Sequence, residues 1–254
     1  MRLFEPVSWP ASYQLAPTQV HVWCASLDQP PIRSEELAEW LSPDERAHAR
    51  RLRSEESRSH YINSRGLLRV LIGGYLGMEP SGVQFSIGPH GKPDVGSAGG
   101  ASLLQFNLSH SEGLVLFAFA SRWRVGIDVE RIHPISDLDA IIERFFSHRE
   151  AAQMRALPKE RKMDAFFAAW TRKEAYLKAI GDGLTRPLQA VEVSVMPGEP
   201  AQLLCVHGNH KETERWRIAE LRPAADYTAA LVVEAPEWDL VLWLLAGQRT
   251  GAEL

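Results

Sequence analysis

Two short stretches of this chain carry nearly the same pattern, and that repetition constrains the fold more than any other feature. "LSPDERAHARRL", from Leu41, aligns with "FSHREAAQMRAL", from Phe146. Ser42 falls on Ser147, Glu45 on Glu150, Ala47 on Ala152, Arg50 on Arg155 and Leu52 on Leu157. Each stretch opens with a serine followed three residues later by a glutamate, the signature of a helix N-terminus in which side chain and backbone cap each other. In the first copy Pro43 sits at the first helical position, where its missing N–H costs nothing. A shared cap accounts for two of the matches. The surroundings repeat as well.

Before each stretch lies a strand, "VHVWCASL" from Val20 and "WRVGIDVERI" from Trp123. After each comes a long helical pattern: "SHYINSRGLLRVLIGGYLG", and the run from Lys159 to Ile180 that Gly181 and Gly183 stop. Short apolar strands follow: "VQFSIG", "LLQFNLS" and "LVLFAFA" in the first half, "AVEVSVM", "WRIAEL" and "YTAALVVE" in the second. The order predicts an α+β fold of two similar α/β halves related by a pseudo-twofold axis. The halves span residues 1–122 and 123–254, meet near Ser121–Arg124, and place a site at their interface.

The 254 residues suit one large domain or two smaller ones, and 45% hydrophobic with 24% charged residues suits a chain with a real core. A net charge of −4 excludes a nucleic-acid binder that works by bulk attraction, so an anionic ligand needs local basic groups. Cys24 and Cys205 are too few for a disulfide framework or a thiolate cluster and point to a reducing compartment. "MRLFEPVSWPASYQ" lacks the apolar core of a signal peptide, and "LVLWLLAG" is too short to span a bilayer, so a cytoplasmic protein is expected.

The repeat also serves as a control. Asp128 and Glu130 fall opposite Cys24 and Ser26, and "NLSHSEG" falls opposite "LRPAADY". The acids therefore occur only in the second copy and the Ser-His pair only in the first. A structural requirement of the repeated unit would appear in both copies, whereas one site shared between two halves would not. Asp128 and Glu130 alternate along a strand and face one side, where adjacent carboxylates repel unless a cation lies between them. Mg²⁺ suits such a pair; acids at a strand end that pair with Arg122, Arg124 or Arg131 are the other reading. In "WTRKEAYLKAIGDGL", Phe166 or Phe167, Trp170, Glu174 and Lys178 share a helix face. An ionised carboxylate among aromatics is costly unless paired or metal-bound. Glu174 and Lys178 also have the spacing of an ordinary surface ion pair.

Phosphate-binding candidates are less distinctive. Ser109 and His110 lie between two apolar strands, and Lys92 lies in the turn "GPHGKP". The arginines of "DERAHARRLR" form either an anion site or a solvated face. Together with the acids, these groups suit a metal-complexed polyphosphate.

"GIDVERI", followed about forty residues later by "WTRKEAYLKAIGDGL", resembles the two-part signature of the 4′-phosphopantetheinyl transferases. "FNLSHSEG", "GKP" and "FFSHRE" are similar to further blocks of the larger, pseudo-dimeric (Sfp-like) type, in order from about Leu41 to Pro187. The resemblance implies transfer of the phosphopantetheine arm of coenzyme A to a serine of an apo acyl or peptidyl carrier protein, releasing 3′,5′-ADP. It implies Mg²⁺, with Mn²⁺ as a possible substitute, held by Asp128, Glu130 and Glu174, with Asp128 also beside coenzyme A.

The same resemblance makes Glu174 the general base for the carrier serine. Lys178 would contact the leaving phosphate and Lys173 the same region. Ser109 and His110 would hold coenzyme A phosphates, Lys92 the nucleotide end, and Glu150 would stand near the site. Where the family pattern has lysines for the 3′-phosphate, this chain has Glu45 and His48, so Arg46 and Arg51, or Arg50 or Arg65, are expected to substitute. A monomer is expected, because each half supplies the other's partner. A non-catalytic coenzyme A- or carrier-binding module and a Mg²⁺-dependent phosphohydrolase are the competing readings.

Overall fold

A computed structural model describes residues 4–7, 13–87, 93–95, 104–181 and 187–245. The first half runs β1 (Glu5–Val7), β2 (Gln19–Ser26), α1 (Ser34–Glu39), α2 (Pro43–Arg51), α3 (Glu55–Leu76), β3 (Phe85–Ile87), β4 (Pro93–Val95), β5 (Gln105–Ser111) and β6 (Leu114–Ala120). The second runs β7 (Val125–Arg131), α4 (Leu138–Phe145), α5 (His148–Arg155), α6 (Lys159–Ile180), β8 (Val191–Val193), β9 (Leu203–Val206), β10 (Arg217–Leu221), β11 (Tyr227–Val233) and β12 (Asp239–Leu245). The α+β class holds.

The repeat is visible element by element. Ser42 and Ser147 both close a full capping box, with Glu45 and Glu150. The helices that follow, α3 and α6, are both 22 residues long and both end on a left-handed glycine, Gly77 or Gly181. That conformation is free of penalty only without a Cβ. The first sheet contains β2, β6 and β5 in that order, and the second contains β7, β11 and β10. Each strand equivalent to β2 thus pairs with the later strand of its hairpin. The C-terminal strand β12, counted with the second half by a division at residue 122, lies instead in the first sheet, parallel to β2 and to β1.

Three apolar layers hold these parts. Trp23, Phe117 and Phe119 of the first sheet pack on Leu67, Leu68 and Leu71 of α3. Ala230 and Val232 of the second sheet pack on Ala175 and Ala179 of α6. Between the sheets lie Val20, Val22, Leu116, Ile127, Val129 and Leu231. The layers therefore run helix, sheet, sheet, helix. Gly126 makes the last contact unusually close, since a Cβ there would stand 2.1 Å from the Ala175 carbonyl oxygen.

The capping glutamates reach further than their caps. Glu45 accepts from Arg65 Nε at 3.0 Å and Arg69 Nε at 2.7 Å. Glu150 accepts from Lys173 Nζ at 2.7 Å and from the Val193 N–H at 2.9 Å. With α3 and α6 aligned end to end, Arg69 and Lys173 occupy equivalent positions. Lys173 is fully buried and also donates to the carbonyls of Leu188 and Val191. Lys173 and Glu150, which the resemblance places at the phosphate and near the site, are here paired with one another in the interior of the second half.

A second buried polar cluster ties α3 to β2. Trp23 Nε1–H donates to the Tyr75 hydroxyl at 2.9 Å, Tyr75 donates to His21 Nδ1 at 2.7 Å, and His21 Nε2–H donates to Gln19 at 3.2 Å. The Gln19 oxygen can only accept, which fixes the neutral tautomer. Burial pushes the His21 pKa down to about 4.

Two predictions follow from these clusters. Lys173→Met strands the Glu150 carboxylate and should cost about 3–5 kcal/mol in urea unfolding while leaving coenzyme A affinity of the folded fraction unchanged; lost affinity at unaltered stability would restore the ligand role. The unfolded chain protonates His21 near its ordinary value of 6.5 and the folded chain only near 4, so stability is complete above 6.5 and falls as pH drops through this window. The loss should approach about 3 kcal/mol below pH 4, and His21→Gln should flatten that part of the profile.

Candidate functional site

The two sheets meet along β5 and β7. Each is an edge strand of its own sheet, so no backbone ladder joins them. Alternate side chains of β5 make the join instead. Asn107 Oδ1 accepts from the Ile127 N–H at 2.9 Å, and Ser111 Oγ accepts from the Arg131 N–H at 3.1 Å. Ser109 Oγ donates to Asp128 Oδ1 at 2.9 Å, and Ser111 Oγ donates to Glu130 Oε2 at 2.9 Å. Asp128 and Glu130 alternate along β7, face α6 rather than the other sheet, and are flanked by these two hydroxyls.

Helix α6 completes the cluster. Gly126 lets it approach β7 closely, which brings Lys178 Nζ to 2.6 Å from Asp128 Oδ1 and 2.8 Å from Ser109 Oγ. The Lys178 ammonium thus goes to Asp128 on the neighbouring strand rather than to Glu174 one turn earlier. Glu174 Oε1 is buried with no hydrogen-bond partner, and so is Asp128 Oδ2. Upstream on the same helix face, Trp170 packs against Phe166 and edge-on against Phe145, with ring centroids 5.7 and 5.6 Å apart. The aromatic stripe continues the helix face that carries Glu174 and Lys178.

The electrostatics reflect this crowding. Burial and the neighbouring Asp128 and Glu130 push the Glu174 carboxyl up to about 7, against the pull of Lys178. Burial also raises Asp128, partly offset by Lys178 and by the Ser109 hydrogen bond. Burial and then Asp128 raise Glu130. Three carboxyls held above their ordinary range in one place, two with an unpaired buried oxygen, are short of positive charge. Among the described residues no three carboxylate, imidazole or thiolate groups converge into a finished metal cage. Mg²⁺ needs none, since it uses one or two protein carboxylates and fills its octahedron with water and phosphate oxygens. The donor set, all hard oxygen with two orphaned atoms, fits Mg²⁺ and fits Mn²⁺ by the same chemistry.

The remaining sequence candidates are distributed as follows. Ser109 is buried and gives its single hydroxyl hydrogen to Asp128, so it orients the acid and Lys178. His110, exposed on β5, is held below the ordinary imidazole value by partial desolvation and then by Lys178 and His60. Arg46 is exposed, donates to the Glu39 carbonyl at 2.6 Å, and lines a groove of about 620 Å³ with Trp40, Glu45, Arg65, Arg69 and Phe85. Arg51 is exposed at the end of α2. Neither arginine is brought into contact with the acids. His48 packs against Tyr61, 4.6 Å between ring centroids. Lys92 lies outside the described residues. Ser111, which beside Ser109 and His110 reads in the sequence as a hydroxyl for phosphate oxygens, donates instead to Glu130, and Asn107 was missed; its signal was the alternation of polar residues at every second position of "NLSHS".

With the two long helices aligned, the positions in α3 equivalent to Glu174 and Lys178 hold Val70 and Gly74. The site is therefore one-sided, with the acids and lysine in the second copy and the serine-bearing strand in the first.

Residues 124–232 match the family model described as "4′-phosphopantetheinyl transferase superfamily". The chain is 41% identical to the 4′-phosphopantetheinyl transferase HetI of a Nostoc species over 234 residues, covering 92% of this chain and 95% of that protein. It is 34% identical to the 4′-phosphopantetheinyl transferase Sfp of Bacillus subtilis over 160 residues, covering 63% of this chain and 69% of that protein. The crystal structure of the Thermotoga maritima holo-[acyl-carrier-protein] synthase overlaps 44% of this chain and 62% of that one, at 25% identity and a TM-score of 0.35. With near-complete coverage at 41% identity, the chain belongs to the 4′-phosphopantetheinyl transferase superfamily.

Proposed function

We propose that this chain transfers the 4′-phosphopantetheine arm of coenzyme A to a serine hydroxyl of an apo carrier protein, leaving adenosine 3′,5′-bisphosphate. The observation that carries the chemistry is the one-sided cluster of Asp128, Glu130, Glu174 and Lys178 at the seam between the halves. In the reaction the serine oxygen forms a bond to the phosphorus bearing the pantetheine arm. The bond from that phosphorus to the oxygen bridging to the adenosine phosphate breaks, and the hydroxyl proton must be removed.

Such a transfer needs charge neutralised and the nucleophile aligned more than it needs covalent help. Mg²⁺, or Mn²⁺ in its place, would be held by Asp128, Glu130 and Glu174, and when bound would offset charge on the pyrophosphate oxygens. Glu174 takes the serine proton, directly or through water. Burial and the neighbouring acids raise its carboxyl, and a cation held beside it would oppose that rise and keep it ionised, as a base must be. Lys178, with its side chain 29% exposed, presents its ammonium to the leaving phosphate from the edge of the cluster. Ser109 holds both Asp128 and Lys178 in register. His110 contacts the phosphates of coenzyme A from the exposed side of β5. The 3′-phosphate falls to the exposed Arg46 and Arg51 of α2, supported by charge alone, and Lys92 to the nucleotide end. Because the chain contains both copies, a monomer suffices.

The orphaned acids argue against a silent binding module. Buried unpaired carboxylate oxygens weaken a fold unless a cation joins them, and a transferase needs that cation at the pyrophosphate as well as a carboxylate for the serine proton. Glu174→Gln should lower transfer at least about 100-fold, read as the mass gain of an apo carrier incubated with coenzyme A and Mg²⁺. The metal-free variant should melt no lower than the parent. Near-native transfer by this variant would remove Glu174 from the mechanism, and 3′,5′-ADP released without any carrier would favour a hydrolase. Arg131→Ala should leave most of the transfer intact, since Arg131 pairs with Glu112 on the face turned away from the acids.

A further inference from the structure

Thr228 on β11 stands directly opposite Glu130 in the β7–β11 register, as Ala230 stands opposite Asp128. Opposed residues on adjacent antiparallel strands project from the same face of the sheet, with Cβ atoms about 5 Å apart. That face is turned toward α6, for Ala230 and Val232 pack with α6 while Ala229 and Leu231 pack with the other sheet. Thr228 is fully buried, and its hydroxyl has no hydrogen-bond partner. Buried hydroxyls without partners are uncommon and unfavourable. A valine would fill the same space without that cost.

The residue opposite supplies an acceptor, the Glu130 carboxylate. On the β5 side of β7, Ser111 donates to Glu130 Oε2, so one flank of that carboxylate is held. Thr228 lies on the opposite flank. An ionised carboxylate has about four acceptor positions, and Ser111 fills one. Two further unpaired atoms, Asp128 Oδ2 and Glu174 Oε1, belong to the same acid cluster. Thr228 is thus an unpaired donor beside acids that lack donors and cations.

We propose that Thr228 is a positioning residue of the acid site, its hydroxyl donating to the Glu130 carboxylate once that carboxylate is engaged by a divalent cation. This rests on the reading of Asp128, Glu130 and Glu174 as cation ligands. Groups that orient ligating carboxylates in this way act on metal affinity, typically by a factor of about 10–100.

The test compares Thr228→Val, which keeps the shape and removes the hydroxyl, with Thr228→Ser, which keeps the hydroxyl. Coenzyme A binding is measured by calorimetry with and without Mg²⁺, alongside the melting temperature of the metal-free protein. In the parent, Mg²⁺ should tighten coenzyme A binding. In Thr228→Val that tightening should shrink roughly tenfold, affinity without metal should stay unchanged, and the metal-free protein should melt at the same temperature or higher. Thr228→Ser should retain the Mg²⁺ effect. If Thr228→Val keeps the full Mg²⁺ effect, or melts lower without metal, the inference is wrong while the metal reading stands. If the parent itself shows no Mg²⁺ effect, the metal reading falls and takes the inference with it.

Discussion

The seam between β5 and β7 is the constraint on which the rest depends. Two sheet edges lie side by side, and neither extends the other's ladder. Unsatisfied edges are a liability in a folded chain. Here Asn107 and Ser111 satisfy backbone groups of β7 from the side, at Ile127 and Arg131. Asp128 and Glu130 lie between those two bonds along β7, on its face toward α6, and Ser109 and Ser111 reach across the seam to hold one oxygen of each. The device that joins the halves is also the device that orients the acids.

The repeated unit provides rigidity and the departures from it provide chemistry. In both halves a capping glutamate reaches from a short helix into the long one, Glu45 to Arg65 and Arg69, Glu150 to Lys173. Lys173 projects about 100° around α6 from Glu174, so these ion pairs anchor each long helix by a different face from the one that carries Glu174 and Lys178 in the second half. With α6 held by Lys173, the face carrying Glu174 and Lys178 is set against β7. With α3 held by Arg69, the corresponding face carries Val70 and Gly74, and Gly74 admits the Tyr13 ring so closely that a Cβ would stand 2.3 Å from it. One scaffold position therefore serves as packing in one copy and as a charged site in the other.

Much of this was legible in the sequence because the signals were local. The two capping boxes, the run Lys159–Ile180 and the stopping glycine are each set by a few neighbouring residues, and all three form where the pattern places them. Comparison of the copies isolated Asp128 and Glu130 for the same reason. Elements whose existence depends on distant partners were missed. β12 is a strand because β1 and β2 flank it, and the apolar run "LVLWLLAG" does not announce which sheet will take it. α4 carried a helical signal in Leu138, Ile141, Ile142 and Phe145, overlooked between two stronger motifs. The surroundings of Lys173 were not legible, because sequence spacing gives its angle on the helix but not what lies there. Only the fold reveals that a buried carboxylate and two carbonyls take all three of its protons.

Placing three acids in a partly dry seam has a thermodynamic consequence that links stability to binding. Each raised carboxyl binds a proton more tightly in the folded chain than in the unfolded one, so the cluster weakens the fold as pH rises through that range. Lys178 offsets part of this through Asp128, but Glu174 Oε1 stays unpaired. Any cation or cationic complex that binds the folded chain alone relieves the repulsion, and the fold gains in proportion to the logarithm of its concentration over its dissociation constant. The seam that costs the empty protein stability is thus the part that gains most on loading. A cation bound there would oppose the burial that raises the Glu174 pKa and keep that carboxylate ionised, so stability and the charge of the site respond to the same event.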